Sequence, residues 1–154
     1  MHGVRLLGAA LRQLGCAIYD WTEMATPPQG LTPQERRIWM DTDRIGGEVY
    51  AFCRNACESA DLLIYYGASG QDAGVEVGLA AASGTPILGI RGPLEGPGLM
   101  LHGAATAWVD SAEAALALVA AIVADPVCLA VAADKQASRG LIRKKLIDAV
   151  NKGS

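Results

Sequence analysis

Ala60 to Ile90 reads ADLLIYYGASGQDAGVEVGLAAASGTPILGI, and the reading of this stretch decides the fold. Leu62 to Tyr66 is a short apolar run of the kind that forms a buried strand, and it ends at Gly67. From Gly70 to Ser83 the small residues predict a helix that packs closely on a sheet, with Asp72 as its N-cap and Gly84 as its stop. Pro86 to Ile90 then predicts a second strand. Strand, helix and strand within so short a span is the size of a βαβ unit, which joins parallel strands.

Downstream, Arg91 to Gly98 (RGPLEGPG) is a loop by its proline and glycine content. Thr106 to Val109 predicts a third strand, and Asp110 or Ser111 caps a helix running to about Ala124. Residues 126–133 admit two readings, a helix begun by Asp125 and Pro126 or a buried strand; the helix is adopted here. A basic amphipathic helix from about Ser138 to Asn151 closes the chain.

Upstream, Val4, Leu7, Leu11 and Leu14 recur at helical spacing and Gly15 stops them. Cys16 to Trp21 (CAIYDW) predicts a strand, and Thr26 to Gly30 a loop. Thr32, Pro33 and Glu35 make a capping box with proline at the first helical position. The helix continues through Ile45, Val49, Phe52 and Ala56, with a break expected at Gly46 and Gly47.

The chain has 154 residues, 51% of them hydrophobic and 19% charged, which suits one well-packed α/β domain over 1–154, with 126–154 as a C-terminal helical extension. A net charge of −3 with scattered Lys and Arg argues against a nucleic-acid polymer as ligand. Cys16, Cys53, Cys57 and Cys128 form no CxxC pair, so reduced thiols are expected and no metal site. Arg5 and Arg12 interrupt any secretory apolar region, and Ala114 to Ala124 is too short to span a bilayer. A soluble, cytoplasmic protein is expected.

Between Ala73 and Ile90 the only charged residue is Glu76. A carboxylate among such small and apolar neighbours is either an exposed first-turn residue favoured by the helix dipole or a functional group. Asp72 lies four residues before it, on the same helical face, where its bland role is the N-cap. Two carboxylates so arranged can divide the work at a glycosidic bond, one attacking the anomeric carbon while another group handles the proton. The loop from Gly67 to Asp72 follows a strand end, where open parallel sheets gather ligands. The N–H groups of Gly70, Gln71 and Ala73 are donors there for a phosphate or a sugar hydroxyl.

ADLLIYYGASGQDAGVEVGLAAASGTPILGI, with LMLHGAATAWV after it, resembles the nucleoside 2-deoxyribosyltransferase family, which includes deoxynucleoside 5-monophosphate N-glycosidases and CMP hydrolases. The resemblance implies a Rossmann-like or flavodoxin-like three-layer domain with a parallel sheet, its first strand missing or replaced by Pro126 to Ala133. It implies that Glu76 is the nucleophile and Asp72 a binding position, while the pairing of Asp72 with Glu76 as catalytic carboxylates rests on their helical spacing. It carries Gly67, Ser69, Gly70, Gly74 and Met100 over as substrate-binding positions. CAIYDWTE resembles the family's second strand and following loop, which adds Tyr19, Asp20 and Trp21, the last as a base-stacking ring. A nucleoside or nucleotide, no cofactor, and a homodimer or larger homo-oligomer follow from the same resemblance. The alternative is a catalytically inactive nucleotide-binding or structural module of the same fold.

Overall fold

The structure, a computed structural model, describes residues 2–20, 26–67, 70–92, 96 and 98–152. In chain order these form α1 (His2–Gln13), α2 (Pro33–Met40), α3 (Asp43–Ser59), β1 (Leu63–Tyr66), α4 (Gln71–Ala82) and β2 (Ile87–Ile90). They continue as α5 (Leu99–Ala104), β3 (Ala107–Val109), α6 (Ala112–Val123), α7 (Pro126–Ala130) and α8 (Lys135–Lys152). The fold is mixed α/β, and the chain divides into two compact units, Met1–Ile18 with Cys57–Ser154, and Tyr19–Ala56.

The larger unit is built on an open parallel sheet of order β1-β2-β3. Parallel pairing needs a crossover between neighbouring strands, and α4 and α5 supply the two crossovers. Register fixes which side chains share a face. Tyr65, Gly89 and Trp108 lie in one row, and Ile64, Leu88 and Ala107 in the adjacent row on the opposite face.

The first face carries Tyr65 and Ile87 against Val77 and Ala80 of α4 and Cys57 at the end of α3, with Leu101 and Ala104 of α5 beside them. The second carries Leu88, Ile90 and Ala107 against Leu7 and Leu11 of α1, Val119 and Ile122 of α6, and Ile142 and Leu146 of α8. All four residues of β2 are buried, which is why PILGI shows no polar alternation. Among the described residues no helix is long and apolar enough to cross a membrane.

The smaller unit shows the capping box in full. The Thr32 hydroxyl accepts from the Glu35 N–H at 3.3 Å, and the Glu35 carboxylate accepts from the Thr32 N–H at 2.8 Å. Ile45 is buried, and Tyr19 meets Phe52 edge to face with centroids 6.1 Å apart.

Three expectations are corrected. Cys16–Asp20 is not a strand, and Trp21 lies outside the described residues. The Cys16 N–H turns back to the Leu11 carbonyl at 3.1 Å, closing α1 through Gly15 at φ +84°, while Cys16 and Ile18 pack on the core without joining the ladder. Alternating burial therefore arises here without strand pairing.

The helical break falls at Asp41 and Thr42, while Gly46 and Gly47 continue α3. Thr42 caps α3, its carbonyl accepting from Gly46 N–H at 3.0 Å and its hydroxyl from Ile45 N–H at 3.4 Å. Helical glycine costs only about 1 kcal/mol against alanine, so a good cap outweighs it.

The N-cap of α4 is Gly70, and Asp72 stands inside the first turn. Residues 126–130 are helix α7, begun by Asp125 accepting from Val127 N–H at 2.7 Å, which is the helix expected there and not the alternative strand.

Candidate functional site

α4 leaves β1 at its carboxyl end, and its first turn is open. Gly70 caps it with extended backbone (φ −74°, ψ −171°) and no side-chain hydrogen bond. The N–H groups of Gln71, Asp72 and Ala73 have no partner within the helix, as the first turn of any helix requires. Asp72 is exposed there, where the helix dipole favours a negative charge.

Glu76 follows one turn later on the same flank and is half-buried. Among the described residues its carboxylate makes no hydrogen bond or ion pair, and no buried side-chain oxygen lacks a partner, so the Glu76 oxygens reach solvent. Its charge is nevertheless felt inside. Burial first, then the charges of Glu76 and Glu58, push the Cys57 thiol up to about 11. Cys57, at the end of α3, packs in one buried cluster with Val77 and Ala80 of α4, and its thiol stays protonated at neutral pH.

The other candidates divide. Gly74 is exposed, with no atom within 4 Å of where a Cβ would stand, but two residues' separation turns it to the far side of the helix from Glu76. Gly67 serves the backbone: its N–H donates to the Ile90 carbonyl at 2.9 Å, and a Cβ there would strike the amide nitrogen of Gly92. Met100 is 89% exposed on α5, another helix from that of Glu76. Tyr19 is exposed and Asp20 partly buried, and both belong to the smaller unit. Trp21 and Ser69 lie outside the described residues.

A cluster that sequence reasoning missed stands at the carboxyl ends of β2 and β3. Arg91 pairs with Asp110 at 2.8 Å, and its guanidinium lies 5.8 Å from the centre of the Trp108 ring. Trp108 also stacks on His102, with centroids 6.0 Å apart and planes 8° apart, and meets Tyr65 edge to face at 5.9 Å. One signal was present in the sequence: a charged residue directly follows each of two apolar strands, Arg91 after PILGI and Asp110 after AWV. It carries no distance information, so the pairing itself was invisible.

Among the described residues no three His, Cys, Asp or Glu side chains gather as a metal site. A groove of about 270 Å³ runs between α6 and α8, lined by Leu118, Ile122, Lys145, Asp148 and Lys152 among others, and none of the candidate residues lines it. The class these observations define is an α/β protein with an open three-stranded parallel sheet and a solvent-reaching carboxylate on its first crossover helix. Comparison of the chain with protein families, curated proteins and solved structures found no match.

Proposed function

We propose that the chain cleaves or transfers at the N-glycosidic bond of a nucleoside or nucleotide, as the resemblance to nucleoside 2-deoxyribosyltransferases implies, and that its sheet is a Rossmann-like or flavodoxin-like one. The observation that carries this reading is the state of Glu76: a solvent-reaching carboxylate without a hydrogen bond or ion pair among the described residues, on the helix that follows β1. A carboxylate tied up in an ion pair would be a poor nucleophile.

In the proposed reaction a Glu76 oxygen attacks the anomeric carbon, the C–N bond breaks, and its electron pair leaves with the base, which takes up a proton. Asp72, on the same flank, is the group offered for handling that proton. Water or a second base then attacks the glycosyl ester, restoring the carboxylate. The free N–H groups of the first α4 turn suit a 5-phosphate or a sugar hydroxyl. The same reading makes the protein a cytoplasmic homo-oligomer, for which light scattering at micromolar concentration is the direct check.

The test is single turnover of deoxynucleoside monophosphates with intact-mass analysis. Free base and a glycosyl adduct that disappear in Glu76→Gln are expected; neither species in the wild-type protein would sink the reading.

A second reading, an inactive nucleotide-binding module, is favoured by Gly67 serving backbone packing and by Gly74 lying on the far side of α4 from Glu76. Thermal stabilisation by nucleotides without turnover supports it, since a ligand at a hundred times its Kd adds about 2.7 kcal/mol.

A further inference from the structure

The carboxyl ends of α3 and α4 both point their last carbonyls toward α8, where a single guanidinium receives them. Arg139 donates from Nη2 to the Glu58 carbonyl at 2.7 Å and to the Ala60 carbonyl at 2.7 Å. Its Nε donates to Ala60 as well, at 3.0 Å, and its Nη1 to the carbonyl of Ser83, the C-cap of α4, at 3.0 Å. One turn later on α8, Arg143 donates to the Gly84 carbonyl at 3.3 Å and to the Thr106 hydroxyl at 3.5 Å. The Thr85 hydroxyl adds a bond to the Cys57 carbonyl at 2.8 Å.

Ser83 stands seven residues after Glu76. Seven residues are almost two whole helical turns, so Ser83 and Glu76 lie on one flank of α4, their Cα positions about 10 Å apart along a stiff rod. Fixing one fixes the other. Cys57, next to the clamped Glu58, packs in one buried cluster with Val77 and Ala80 of α4, so the same guanidinium ties the end of α3 to the helix that bears Glu76.

We infer that Arg139 is a positioning residue for Glu76, holding the end of α4 against the end of α3 so that the carboxylate is presented at a constant place. The inference rests on the proposed role of Glu76 as nucleophile. Arginine is needed because its planar fork meets three carbonyls at once; a lysine ammonium on a flexible stem does not reproduce that geometry.

A capping role alone would leave Glu76 unaffected, so the test reads Glu76 through its neighbour. Alkaline thiolate absorbance, taken as the difference from Cys57→Ser, is recorded for the wild type, Glu76→Gln, Arg139→Met and the double variant. Glu76→Gln is expected to raise the Cys57 thiolate fraction at pH 9 about threefold, by removing a like charge. Arg139→Met is expected to act in the same direction, and its effect is expected to vanish on the Glu76→Gln background. Equal effects on both backgrounds overturn the inference, as does a fall in thiolate, which is what simple loss of a cation would cause. If Arg139→Met does not fold, Arg139→Lys, which keeps the charge but loses the fork, is compared in the same cycle.

Single-turnover base release separates this inference from the proposed reaction. A rate about tenfold lower in Arg139→Met with unchanged substrate affinity supports both. Coupled titration without any base release leaves the positioning intact and removes the glycosidic reading; wild-type release by Arg139→Met without coupling does the reverse.

Discussion

The indole of Trp108 lies across Gly89, its register partner in the sheet, so closely that a Cβ on residue 89 would fall 2.7 Å from Cδ2 of the ring. Tyr65 reaches the same ring from the opposite strand, edge to face at 5.9 Å. The missing side chain on the middle strand is what lets aromatics of the two outer strands meet.

Gly89→Ala must push Trp108 aside, because the ring occupies the space the methyl needs. Overpacking of this kind costs about 1–3 kcal/mol. Urea unfolding is expected to show a lower midpoint together with altered tryptophan emission in the folded state. An unchanged midpoint would mean that the ring rotates away at no cost.

Gly67→Ala should be worse than Gly78→Ala, with the opposite sign. A Cβ at 67 would meet backbone, 2.7 Å from the Ile90 oxygen and 3.0 Å from Gly92 Cα, and backbone does not swing aside. A loss of about 2–4 kcal/mol is expected. At 78, inside α4, nothing lies within 4 Å, and the gain in helix propensity is about 0.5–1 kcal/mol. Melting temperatures of the two variants check the contrast.

Hydrogen bonds from the Thr32 hydroxyl and backbone hold the Glu35 carboxyl below its usual range. A lowered folded value means that the ionised form is the one folding favours. Its stabilisation is therefore present above the ordinary glutamate range and fades as pH falls through it, between about pH 5 and 3. The α2 amide signals in NMR spectra are expected to lose exchange protection over that window in the wild type, and Glu35→Gln is expected to flatten the response.

Cys57 behaves in the opposite sense. Burial and the Glu76 charge push its thiol up to about 11, so folding favours the protonated form. That contribution is complete below the ordinary cysteine value and is lost as pH rises toward 11. Stability is expected to decline from about pH 9 upward, and Cys57→Ser to remove part of the decline. Identical alkaline profiles for the two proteins would show that the thiol never carries the effect.

Most helices and all three strands were legible because their causes are local. Thr32 and Glu35 close a capping box within four residues, Ser111 caps α6 through the Ala114 N–H, and Gly84 at φ +74° ends α4 where the apolar rhythm stops. The misjudged segments share one trait. Cys16–Asp20 alternates like a strand, and Gly46 and Gly47 look like a break, but a Cys16 bond to Leu11 and a Thr42 cap decide otherwise. In each case a backbone bond that composition does not encode competed with a side-chain pattern that it does.

The candidate site was legible only in part. Glu76 stood out as a lone charge among small residues, and it does lie on the first crossover helix with its oxygens open to solvent. Gly67 and Gly74 looked equivalent to it in the string, yet one is spent on Gly92 and the other faces away.

From its own letters this chain determined where its three strands fall, their parallel sense and which helix bears the acidic group, since burial periodicity, caps and crossover lengths act between near neighbours. Folding alone decided what that group meets. Cys57 against Val77 and Ala80, Trp108 over Gly89 and Arg139 at the ends of α3 and α4 are contacts between residues far apart in the chain, and they arise only when two faces of one sheet are packed at once.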